Sequence, residues 1–254
     1  MIHKVIVLLA TVVCVWGTSV PALNEGFVEF FDTNISSVPY IASLQFDGKH
    51  YCSGVIFDKH AIITAASCLR GRKASNMTVR SASSSWNIGG QLIQVANFKI
   101  HERYSPASND YDVGIIRLAT ALKFYPGIDP ISLARKSAAV GGVAMVSGWG
   151  SLRDCASKSL RSSYVTIVSR KKCSSVKDHY GRAIKPSMIC VDGMSRDACE
   201  YDAGAPLVTG HLLAGMVSLG DACATGKSPG LFVDIAKVRE WIEETVEKFE
   251  EHLI

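Results

Sequence analysis

The chain has 254 residues, 48% of them hydrophobic, enough for one sizeable domain or two small domains. Its 27 Lys and Arg against 23 Asp and Glu give a formal charge of +4, too mild to imply a nucleic-acid partner. After residue 22 no apolar stretch reaches the roughly twenty residues that a bilayer requires, so no membrane anchor is expected.

In chain order, residues 1–22 read as a secretory signal peptide. Lys4 makes a positive start, residues 5–16 are apolar but too short to span, and Val20-Pro21-Ala22 offers small residues for cleavage, with Gly17 or Ser19 as alternatives. Removing Lys4 leaves a charge of 4 − 1 = +3 on the remainder, residues 23–254, and the expected location is extracellular. From residue 38 onward, short runs rich in Val, Ile, Leu and aromatics are broken by Gly, Pro, Asn, Asp and Ser. About twelve such runs, among them 40–46, 50–57, 61–66, 91–100, 113–118, 142–148, 163–169, 205–209, 211–220 and 230–234, predict an all-β architecture. Pro126, Gly127 and Pro130 mark a link between two halves. Beyond it the rhythm changes at residue 236, where Val238, Trp241, Ile242, Thr245, Val246, Phe249 and Leu253 recur at helical spacing over 236–254.

Eight cysteines in an exported chain point to disulfides. There is no paired CxxC and no Cys/His cluster at ligand spacing, so no metal and no cofactor is expected. Cys14 leaves with the signal peptide and seven remain, with their pairing open from sequence alone. Asn34-Ile35-Ser36 and Asn76-Met77-Thr78 are glycosylation acceptors. Arg170-Lys171-Lys172 and Arg70, Arg72, Lys73 read as solvated basic faces.

Several motifs fall in one order: Val38-Pro39-Tyr40, His50-Tyr51-Cys52-Ser53-Gly54, Ala65-Ala66-Ser67-Cys68, Tyr111-Asp112-Val113, Ser147-Gly148-Trp149-Gly150, Asp202-Ala203-Gly204 and Pro229-Gly230-Leu231-Phe232. This series resembles the chymotrypsin-like (trypsin) family of serine proteases, and in particular its secreted, clip-less invertebrate homologues. The resemblance implies two perpendicular six-stranded Greek-key barrels with a C-terminal helix: barrel one over about 27–120, a link over 121–140, barrel two over 141–235 and the helix over 236–254. It implies the bridges Cys52 to Cys68, Cys173 to Cys190 and Cys199 to Cys223. Cys155 is left over, either as a free thiol or as a bridge to a second chain.

The resemblance also implies a degenerate triad. Ser67 stands where the family has its general-base histidine and Ala203 where it has the nucleophilic serine, while Asp112 matches the orienting aspartate. Tyr201 occupies the place of the oxyanion-hole glycine. Asp197, Gly220 and Gly230 match a pocket open to a basic side chain, and Leu219 replaces the usual tryptophan beside it. No Lys or Arg lies between Lys4 and Lys49, so no trypsin-like cut frees an activating terminus. Asp202, His50 and Ser43 match a zymogen-like lock, the alternative being that His50 packs as an ordinary strand residue. His101 reads as a structural histidine at a strand end.

On these grounds the expectation is no enzyme: a secreted, non-catalytic homologue that binds or regulates another extracellular protein in reproduction or immunity, whether a protease, a substrate or a receptor. Two alternatives stand beside it. One is a residual or relocated-site serine-type hydrolase, and the other a structural partner cross-linked through Cys155.

Overall fold

The computed structural model describes residues 31–150, 159–175, 184–192, 203–218 and 229–251. The first barrel is a closed ring of β2 (Ile41–Phe46), β3 (Lys49–Ile56), β4 (Ala61–Thr64), β7 (Gly114–Leu118), β6 (Gln91–Ile100) and β5 (Met77–Ser81). Its strands alternate where one face meets water, as in β5, where Met77, Val79 and Ser81 point inward. They are apolar throughout where both faces are covered, as in β4. Ile41, Leu44, Ile62, Ile63, Ile115 and Ile116 are fully buried at its centre.

The second barrel closes through β9 (Val143–Gly148), β10 (Arg161–Val168), β11 (Met188–Asp192), β14 (Gly230–Asp234), β13 (Leu212–Val217) and β12 (Pro206–Thr209), which returns to β9. Both rings are antiparallel, so the expected fold class holds. Two short strands attach to the second ring from outside. β1 (Phe31–Asp32) pairs with β10 although it precedes barrel one in sequence. β8 (Ser132–Leu133), inside the link, pairs in parallel with β13.

The halves share one core, in which Val38, Leu44 and Ile63 of the first half join Trp149, Leu213 and Met216 of the second. Trp149 donates its indole N–H to the Ser84 carbonyl at 3.0 Å, tying barrel two to barrel one. The helix α3 (Ile235–Glu251) starts at Asp234, whose carboxylate accepts the Ala236 N–H at 3.2 Å as an N-cap. Burial pushes the Asp234 carboxyl above its ordinary value, and the Ser137 hydroxyl at 2.5 Å opposes that. Val238, Ile242 and Val246 bury one face of α3, as the helical spacing predicts. No helix among the described residues is long and apolar enough to cross a membrane.

Cys52 is bonded to Cys68, and Cys173 to Cys190. The first bridge clamps β3 to the helical turn α1 (Ala66–Leu69), and the second ties α2 (Arg170–Ser175) to β11. Cys155, Cys199 and Cys223, and the leader at 1–22, lie outside the described residues. Asn34 and Asn76 are both exposed, and the Asn34 side chain accepts the Ser36 N–H at 3.0 Å.

Candidate active site

The site forms where β4 runs into α1. Ala65 is extended, and the chain then turns into the α1 helix, which sets Ser67 half-buried at the turn. Ser67 faces Asp112 with two donors: its N–H lies 2.7 Å from Oδ1 and its hydroxyl 3.0 Å from Oδ2. Asp112 is fully buried just before β7, and the tight loop ahead of it places Asn109 and Tyr111 at φ of 55° and 52°. A carboxylate removed from water in this way is costly unless donors meet it. A third donor comes from the other barrel, where the Ser218 hydroxyl reaches Asp112 Oδ2 at 2.5 Å. Two hydroxyls from separate barrels therefore converge on one carboxylate oxygen.

Tyr104 stands nearby. Burial raises its phenol pKa, the Asp112 charge raises it further, and Arg70 lowers it. Ala203, 6% exposed, sits against α1: its carbonyl accepts the Ser53 N–H at 2.9 Å and lies 3.6 Å from Cys68 Sγ. The methyl group at 203 supplies no hydroxyl.

A second hydroxyl and base pair lies within barrel one. Ser43 Oγ and His50 Nδ1 are 2.8 Å apart across β2 and β3, both wholly buried. The His50 ring meets Trp149 edge-on with centroids 5.6 Å apart. Asp202, the third member of the expected lock, lies outside the described residues, as do Tyr201, Asp197, Leu219 and Gly220. Of the expected pocket only Gly230 is placed, buried in β14 opposite Val191. His101 is 8% exposed, its ring 4.7 Å from that of Tyr111 and 4.6 Å from that of Trp241. Its Nδ1 accepts the Arg103 N–H at 3.0 Å, and burial holds the imidazole below its ordinary value.

Ser218 is the one member of the cluster that the sequence reading passed over. It follows a strand, and its partner is 106 residues away, so no local pattern announces it. Among the described residues no group of His, Cys, Asp and Glu is arranged to hold a metal ion.

The trypsin family model matches residues 27–242. Hypodermin-B of Hypoderma lineatum is 39% identical over 97% of this chain and 99% of its own length. Trypsin alpha-4 of Lucilia cuprina is 41% identical over 94% of this chain and 96% of its own, and trypsin alpha of Drosophila melanogaster 40% identical over 95% and 98%. Among solved structures, mouse neuropsin, a serine protease of the limbic system, superposes with a TM-score of 0.77 at 29% identity, covering 86% of this chain and 99% of that one. The chain belongs to the trypsin family of serine proteases.

These relatives correct the expectation of a non-enzyme. Those named trypsin stand at about 40% identity over nearly the whole chain, and a histidine, His50, is hydrogen-bonded to a serine hydroxyl, the kind of pair that activates a nucleophile. No support emerges for a purely non-catalytic binding role. The physical reason is that replacing a histidine and a serine at the family positions removes those groups but leaves the Ser67 and Ser218 hydroxyls on Asp112 and the separate Ser43 and His50 pair.

Proposed function

We propose that this trypsin-family domain is a secreted serine-type hydrolase working from a relocated, residual site, with Ser67 as nucleophile, Asp112 as proton acceptor and Ser218 as the residue that positions the carboxylate. The observation that carries this reading is the convergence of the Ser67 and Ser218 hydroxyls on Asp112 Oδ2 at 3.0 and 2.5 Å. Ser43 and His50 make the chemically stronger pair, but both are 0% exposed and a substrate carbonyl has no route to them without opening barrel one. Ser67 is half-buried rather than wholly enclosed.

In the proposed cycle Ser67 Oγ attacks a carbonyl carbon as its proton passes to Asp112, and the C–O bond to the leaving alcohol then breaks as Asp112 returns the proton to that alcohol. Water next attacks the acyl-Ser67 ester, gives its proton to Asp112 and frees the acid, with the proton returned to Ser67. A carboxylate is a weaker base than an imidazole. Activated esters are therefore the expected substrates, at turnover on the order of a millionfold below a complete triad. The two disulfides are in keeping with an oxidising, extracellular location, where ester-bearing or protein substrates would be met.

The test compares hydrolysis of p-nitrophenyl acetate by the purified protein with that by Ser67→Ala, Asp112→Asn and Ser218→Ala. Saturable hydrolysis that disappears in the first two and falls in the third is the expected result. Rates equal in wild type, Ser67→Ala and Asp112→Asn overturn the assignment.

A further inference from the structure

Away from the Ser67 and Asp112 cluster, a groove of 690 Å³ opens between the link that follows β8, the start of β13 and the first half of α3. None of the residues of the proposed active site lines it. Three cations do: Arg135 and Lys136, both exposed, and Arg239. Phe57, Leu133 and Leu212 give it an apolar wall, and Leu212 is 40% exposed.

The cationic side of the groove is held in place. The Ala134 N–H donates to the Leu213 carbonyl at 2.9 Å, so Arg135 and Lys136 leave a backbone fixed to β13. Glu243, the acid in the lining, accepts from Arg239 Nε at 2.8 Å and from its second nitrogen at 2.6 Å, which fixes the guanidinium on the α3 surface. The lining thus carries three positive groups against one negative, beside exposed hydrocarbon. A sulfated glycan would use the charges but has no use for the apolar wall. A peptide that alternates carboxylates with large apolar side chains uses both, and a pinned backbone lowers the ordering cost of binding it.

We propose that this groove docks an acidic, apolar-containing peptide segment of a partner protein. The test is fluorescence anisotropy with a fluorescein-labelled peptide of alternating Glu and Leu, titrated with the full-length protein at low and high salt. Saturable binding is expected, weakened by salt, by at least about tenfold in the Arg135→Glu, Lys136→Glu double variant, and several-fold in Leu212→Asp. Lys49→Glu, on the far hairpin of barrel one, should bind as the wild type does. Three results overturn the proposal: no binding, binding unaffected by the double reversal, or a heparin oligosaccharide bound through Arg135 and Lys136 where the peptide is not. Concentration-dependent self-association lost on the same double reversal would also overturn it, assigning the groove to a second copy of the chain.

Discussion

Gly204→Ala should destabilise the domain sharply, because this glycine stands where the two barrels touch. Its φ is +84°, in the left-handed region, where a side chain costs about 1–2 kcal/mol. A Cβ there would also run into the Ser53 carbonyl oxygen and stand 2.6 Å from Thr64 Oγ1. Neither atom is free to retreat. Thr64 Oγ1 donates to that same carbonyl at 2.7 Å, and the Ser53 N–H donates to the Ala203 carbonyl at 2.9 Å. Forcing backbone aside adds about 1–3 kcal/mol, so the total is about 2–5 kcal/mol against a whole-domain stability of about 5–15 kcal/mol. In a thermal scan followed by far-UV circular dichroism the midpoint should fall by roughly 5–15 °C. Gly48→Ala is the matched control: φ is +74° there, but nothing lies within 4 Å of the added carbon, so only the backbone term applies. Equal midpoints for the two variants would refute the contact argument.

Two further outcomes follow from the structure and a third from the cysteine count. Burial, aided by Arg103 and Lys99 and opposed by Glu102 and Asp110, holds the His101 imidazole below its ordinary 6.5. Its contribution to stability is therefore present above pH 6.5 and lost as pH falls through the lower folded value; His101→Phe should flatten the midpoint-against-pH curve between about pH 7.5 and about pH 5, and unchanged slopes would refute this. Replacing Cys173 and Cys190 together by Ser opens a loop with a sequence separation of 17 and should lower stability by about 3 kcal/mol in urea titrations, a loss below about 1 kcal/mol counting against it. Peptide mapping under non-reducing conditions should find Cys155 either as a titratable thiol or joined to a second chain; a bond to another cysteine of the same chain rejects the pairing that the family resemblance implies.

Much of this was legible because it is written in local pattern. The alternating or continuous apolar runs announced an all-β chain, the family resemblance supplied its two barrels, and the spacing of Val238, Ile242 and Val246 announced α3. Local pattern could not show that Phe31 and Asp32 pair with β10, 129 to 131 residues on, or that the link contains a strand, because a two-residue strand has no period to read. Identities at 67 and 203 revealed which family groups are replaced, and the identity at 112 which one is kept. They could not reveal what gathers around Asp112 once those groups are gone, since Ser218 arrives from the other barrel. Hence the letters argued for a non-enzyme, while the folded chain and its trypsin relatives point back to hydrolysis.

The most direct test of the hydrolase account is to trap its covalent intermediate. The protein is incubated with p-nitrophenyl acetate, quenched in acid, and its peptides are analysed by tandem mass spectrometry. The account predicts an acetyl group on Ser67, absent from Asp112→Asn and lost with time at neutral pH. An acetyl group found only on surface lysines, or on Ser67 to the same extent in Asp112→Asn, would contradict it.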